Sequence, residues 1–144
     1  MSPAKKAVVT ITRKDAEAFD KVRSQMEQLS TDFEVLSKKA PDSPVSKFKL
    51  KFINEKIRDA NKFLVSHFKP IEDFDQFEDE SLPSNSDVVM VLMQYLTCLE
   101  HWRSAHIHRE GEGYNKYWAW NVKGETIRTA NPKSMAHLEE DDDD

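Results

Sequence analysis

Residues 84–107, "SNSDVVMVLMQYLTCLEHWRSAHI", decide the reading of this chain. Ser84 with Asp87 three residues later has the spacing of a capping box, in which each residue satisfies the other's backbone N–H at a helix start. From Val88 to Met93 the stretch is apolar on almost every side, and it then narrows to Tyr95, Leu96, Leu99 and Trp102. A helix apolar all round at its start is the central one of a bundle, covered by its neighbours. Val89, Leu92, Leu96 and Leu99 are therefore expected among its least exposed residues. Gly111 and Gly113 close this helix or the turn after it.

Two helices precede it. Thr12 with Asp15 predicts a helix opening at about residue 13, and Pro41 requires it to end. Its apolar residues are Ala16, Phe19, Val22, Met26, Leu29, Phe33 and Leu36, in steps of three and four that keep them on one stripe. So regular a seam suits a bundle or a coiled coil. The turn "APDSPVS" predicts a second helix, capped by Asp42 or Ser43, with Pro44 at its first position and an end near Ser66. Val45, Phe52, Ile53, Ile57, Ala60, Phe63 and Leu64 share its apolar arc, within which Lys49 and Lys56 also fall. Lys47, Lys51, Arg58 and Lys62 form a basic ridge on the opposite side.

The remaining segments are shorter. Between prolines, "PIEDFDQFEDESLPSN" (70–85) reads as a long acidic loop, with Phe74 and Phe77 expected to pack and the acids expected to match the ridge. "AVVTIT" (7–12) reads as a strand. "YWAWNV" followed by Lys123-Gly124 and "ETIRTA" reads as a β-hairpin that the N-terminal strand would complete. The fold class is mainly α: a bundle of three long helices with a small β-hairpin, possible as three strands with the N-terminal one. Residues 1–132 make a single domain, and 133–144 an acidic disordered tail.

Composition narrows the function. The chain has 144 residues, 33% of them charged, and a net charge of −5. That charge is segregated. Residues 1–63 carry 14 basic against 9 acidic side chains, whereas 64–100 hold Lys69 against eight acids, and the tail 137–144 is wholly acidic apart from its first two residues. Blocks of opposite sign favour contact between segments or with a charged partner. No apolar run approaches the roughly 18 residues of a membrane span. A single cysteine, Cys98, allows no internal disulfide and fits a reducing cytoplasm. Three glycines leave no phosphate-cradling loop, so no cofactor is expected.

Residues 98–120 gather Cys98, three histidines and all three tryptophans. A zinc site needs three or four converging ligands, whereas His101 and His108 on one helix would stand about 10 Å apart. No metal is expected. "RSAHIH" places Arg103 and His108 with four residues between them, which resembles the Arg-x(4–6)-His motif of HEPN-type helical ribonucleases. The resemblance covers six residues, with Ser104 where the family often has Asn. It would imply a cation holding RNA phosphate while imidazole moves a proton, at a dimer interface.

The leading expectation is a small non-catalytic cytoplasmic interaction or regulatory protein that binds another protein, with a homodimer open as an alternative. A nucleic-acid binder is the second reading, using Lys47, Lys51, Arg58 and Lys62 on phosphates and Tyr117 or Trp118 as stacking platforms. The HEPN-like ribonuclease is the third.

Overall fold

The computed structural model describes residues 9–65 and 68–131. The expected acidic tail and the first residues of the expected N-terminal strand lie outside them. Three helices come first: α1 (Arg13–Lys39), α2 (Lys47–Asn61) and α3 (Asn85–Ser104). Three strands follow: β1 (Ile107–Glu110), β2 (Tyr117–Trp120) and β3 (Arg128–Thr129). The chain is mainly α with a small antiparallel sheet. Backbone contacts divide it into one unit of residues 19–99 and another that joins residues 1–18 to 100–144. Among the described residues no helix is long and apolar enough to cross a membrane.

In the helical unit the expected capping box of α3 forms. Ser84 and Asp87 exchange bonds, Ser84 N–H to Asp87 Oδ2 and Asp87 N–H to Ser84 Oγ, each at 3.1 Å. The buried apolar residues of α3 within this unit are Val88, Val91, Leu92, Tyr95 and Leu99. Their spacing of three and four marks one stripe. Leu92 and Leu99 are buried as expected, whereas Val89 and Leu96 are only half-buried. Met90 and Met93 stand largely in solvent. Apolar composition alone did not reveal which arc of α3 meets the core.

Helix α2 begins later than the prolines imply. Its N-cap is Ser46, whose side chain accepts from the Lys49 N–H. Asp42 and Ser43 do not cap it, and Pro44 is not its first residue. The segment before Ser46 is extended instead: Pro44 bridges Ser84, Val45 N–H donates to the Pro83 carbonyl at 2.8 Å, and Asn85 N–H to the Ser43 carbonyl at 3.0 Å. Those backbone groups are engaged by the approach to α3, so they are not free to start a helix. The helix ends at Asn61, short of the expected Ser66.

The loop after α2 is fastened by amides rather than by charge. Asn54 donates through Nδ2 to the Phe77 carbonyl at 3.1 Å, and its Oδ1 accepts from the Phe77 N–H at 2.9 Å. Asn61 Nδ2 donates to the Phe74 carbonyl at 3.4 Å, while Asn61 Oδ1 accepts from the buried Tyr95 hydroxyl at 2.9 Å. Phe74 and Phe77 meet edge to face at 5.2 Å, both half-buried, as expected for aromatics that pack.

In the second unit, α1 opens on its expected capping box, with Thr12 N–H bonded to Asp15 Oδ2 and Asp15 N–H to Thr12 Oγ1. Helix α3 stops at Ser104, and the expected helical run to Ile107 turns into β1. This strand pairs with β2 in the register Ile107 with Trp120 and Glu110 with Tyr117. It supplies the third strand expected from the N-terminus. Ile11 makes only a single parallel bridge to Val122, with its N–H on the Asn121 carbonyl at 2.9 Å. Gly111 therefore closes a strand connection, not a helix. At φ 95° a Cβ there would sit 2.1 Å from the Asn115 carbonyl oxygen. The Lys123-Gly124 turn forms, with Gly124 at φ 77°, but its return strand is only Arg128–Thr129.

Asn54→Ala removes both bonds to Phe77 and leaves that peptide's N–H and carbonyl without a protein partner. It is expected to destabilise the protein by about 2 kcal/mol. An unchanged denaturant midpoint would show that the clamp contributes nothing.

Candidate functional site

The sequence of α2, "KFKLKFINEKIRDAN", alternates charge and ring at its start. Its buried residues are Leu50, Ile53, Asn54, Ile57 and Ala60. At 100° per residue these span one third of the helix surface, and Phe48 falls diametrically opposite their centre. Phe48 is 71% exposed and Phe52 48%. The two rings meet edge to face, with centroids 5.2 Å apart and planes at 79°. Phe52 is thus not in the buried arc, and Phe48 was not among the expected site residues.

A hollow lies on each side of this pair. One, of about 460 Å³, is lined by Leu29, Phe33, Val35 and Leu36 of α1 and by Lys49 and Phe52 of α2, together with Asp32. Val35 is 52% exposed. The other, of about 410 Å³, includes Phe48, Phe52 and Lys51, with Arg58, Glu55 and the loop residues Gln76 and Asp79. Volumes of this order are typical of recognition pockets. Large apolar side chains held in water on a helix are a feature of surfaces that meet a partner.

Lys47, Lys51, Arg58 and Lys62 are all exposed. Among the described residues the ridge is not met by the acidic loop through ion pairs. Arg58 donates to the neutral Gln76 Oε1 at 2.8 Å, Lys62 pairs with Asp59 of its own turn at 3.5 Å, and Lys69 pairs with Asp75 inside the loop. Among the described residues Lys47, Lys49 and Lys51 have no ion-pair partner. Lys56 lies against Glu55 and Asp59.

The other expected site residues lie in the second unit. Tyr117 and Trp118, on β2, are half-buried. The Arg128 guanidinium sits 4.0 Å over the Tyr117 ring, and that of Arg109 sits 5.5 Å over Trp118. One face of each ring is therefore already covered by a cation.

Arg103 is fully buried, and its two terminal nitrogens are engaged, whereas its Nε has no hydrogen-bond partner among the described residues. It bonds Glu100 Oε1 at 2.5 Å, Thr129 Oγ1 at 2.7 Å and the Ala130 carbonyl at 2.6 Å. Its planar fork ties the end of α3 to the segment at β3.

His108 is on β1, two residues from Glu110 and therefore on the same strand face. Its Nε2 meets Glu110 Oε2 at 2.5 Å and its Nδ1 meets Asn121 Oδ1 at 2.6 Å. Asn121 donates from Nδ2 to the Val9 carbonyl, which leaves its oxygen facing the imidazole. With an acceptor on each nitrogen, the surroundings favour the doubly protonated ring. The hydrogen bond to Glu110, followed by that to Asn121, raises the His108 pKa above its ordinary 6.5. The same contact lowers Glu110 below 4.5. Arg103 and His108 serve separate hydrogen-bond sets, and no bond joins them. A general base needs a free lone pair aimed at substrate, and neither imidazole nitrogen is open in this arrangement.

No family model, curated protein or solved structure matches this chain. The geometry alone therefore guides the assignment of a site.

Cys98 is half-buried, and burial pushes its thiol pKa up, which suppresses the reactive thiolate. His106 is buried, stacked on Trp102 with ring centroids 4.0 Å apart, and its Nδ1 donates to the Trp102 carbonyl. Among the described residues, no three metal-ligating side chains converge.

Two measurements test these assignments. The raised His108 pKa means its contribution to stability is complete below 6.5 and is lost as pH rises through the folded-state value. That of Glu110 is present above 4.5 and is lost as pH falls through its lowered value. An NMR titration is expected to place His108 above 6.5, and Glu110→Gln to bring it back towards 6.5; an unmoved midpoint rejects the coupling. Arg103→Met removes the ion pair to the buried Glu100 carboxylate and is expected to cost about 3–5 kcal/mol, part of which Glu100→Leu restores in the double variant. Equal losses in single and double variants would disprove the pairing.

Proposed function

We propose that this chain is a small non-catalytic binding protein that engages another protein through the outer face of α2. The observation that carries the proposal is Phe48, 71% exposed and paired with Phe52 between two hollows. A phenylalanine held in water contributes nothing to the core, whereas in a partner's pocket it is a rigid apolar anchor. The segregated charge of the sequence agrees with this role, since it orients encounter and speeds association. A cytoplasmic setting, expected from the single cysteine, belongs to the same proposal.

A second reading has one observation in its favour: the four basic side chains of α2 are all exposed. They could follow a nucleic-acid backbone, with Phe48 stacking on a base. Glu55 and Asp79, which line the hollow beside Lys51 and Arg58, oppose a phosphate there.

Phe48→Asp separates these readings without threatening the fold, because the residue is exposed and an acid is favourable in the first turn of a helix. In co-purification from the native source, a protein retained by the wild-type chain is expected to be lost by about tenfold or more in the variant. Retention that is unchanged, or that consists of nucleic acid released steeply by salt, would reject the protein-binding reading.

A further inference from the structure

We infer that the face shared by α1 and the start of α2 takes an acidic amphipathic segment of a partner protein, its apolar side chains in the Val35 hollow and its carboxylates over Lys47, Lys49 and Lys51. This deepens the protein-binding reading above and rests on it.

The apolar half of the recognition is the hollow of about 460 Å³ lined by Leu29, Val35, Leu36 and Phe52. It runs between two helices, the setting in which an amphipathic helix lays its apolar face. Leu29, Val35 and Leu36 line it beside Phe33 and Phe52, a concave apolar surface that suits leucine-like anchors.

The charged half follows from what docking would cover. Lys49 lines this hollow, Lys51 lines its neighbour, and Lys47 lies on the same exposed turn. None of the three is ion-paired among the described residues. A neutral apolar partner would strip water from these ammonium groups and return no counter-charge, a net cost for each buried ion. Carboxylates placed beside the apolar anchors remove that cost. One acid, Asp32, also lines the hollow, and it already accepts a bond from Gln28 Nε2 at 3.1 Å. Across the two hollows Lys49, Lys51 and Arg58 face Asp32, Glu55 and Asp79, of which Glu55 already lies against Lys56, and Lys47 on the same turn adds a further cation. A nucleic acid offers the negative charge without apolar anchors, and its phosphates would meet Glu55 and Asp79 further along α2.

The probe is a synthetic helical peptide of about 18 residues with leucines at i, i+3, i+4 and i+7 and glutamates on the flanks. It is compared with a glutamine-flanked twin, a lysine-flanked twin and a mixed-sequence single-stranded DNA, by fluorescence anisotropy at two salt concentrations. The glutamate peptide is expected to bind at least about tenfold more tightly than the glutamine twin, with affinity falling as salt rises. Lys49→Glu with Lys51→Glu should lose that advantage by about the same factor, and amide shifts should cluster at residues 29–36 and 47–52. Circular dichroism checks that each variant is folded.

Equal binding of the glutamate and glutamine peptides, or preference for the lysine twin, overturns the acidic partner while leaving protein binding intact. Binding of the DNA alone, or of none of the probes, overturns both. A wild-type dimer in sedimentation that dissociates on Val35→Glu would assign the face to a second copy of this chain and likewise overturn the inference.

Discussion

The helical unit depends on how a loop's backbone is satisfied when it lies against a helix. Asn54 presents one donor and one acceptor, and the Phe77 peptide presents the complementary pair. A buried amide that meets both groups of one residue replaces the ladder partner which a strand would provide. Asn61, two turns further along α2, repeats the device on the Phe74 carbonyl and is itself held by Tyr95. With the chain anchored at these two points, Gln76 reaches Arg58 and Asp79 lines the hollow beside Phe48. The polar side of the candidate site is therefore a product of two amides on the opposite, buried arc of the same helix.

Much of this architecture was legible from local chemistry. The boxes at Thr12 and Ser84 place two helix starts correctly because cap and helix are neighbours in sequence. The start of α2 was not legible, since the backbone groups of Ser43 and Val45 are engaged by residues forty positions away. A second error moved the site. Placing Phe52 and Phe63 with the core swings the apolar arc towards them and draws Lys49 and Lys56 inside. Two lysines within an apolar arc are the sign that the arc is set wrongly. With Phe52 exposed, Phe63 beyond the helix end at Asn61 and Leu50 buried, the arc centres on Ile57, and Phe48 stands opposite the core. The switch from α3 to β1 was hidden for a similar reason, because Ile107 is as acceptable in a helix stripe as in a strand.

The residues that looked most reactive are the ones most fully committed to structure. Arg103 bonds four partners around the end of α3, and the His108 ring is clasped between a carboxylate and an amide. Motif spacing records which residue types are present, whereas chemistry needs donors and lone pairs left open towards a substrate. Phenylalanine, by contrast, reads in sequence as an ordinary packing residue, as at Phe74 and Phe77. Exposure in the structure is what separates Phe48 from the others.

The opening turn of α2 has one more consequence. It carries Lys47 and Lys49 and no acid, with Ser46 as its cap. Backbone dipoles leave a helix N-terminus partially positive, so each cation there costs about 0.3–1 kcal/mol. The turn that displays Phe48 is for that reason a comparatively weak end of its helix, prone to fray and exchange its amide protons early. A ligand bearing negative charge would relieve that repulsion at the moment it docks. On the proposed docking, recognition and helix order would be coupled at this end, and tightening of the first turn would itself report occupancy.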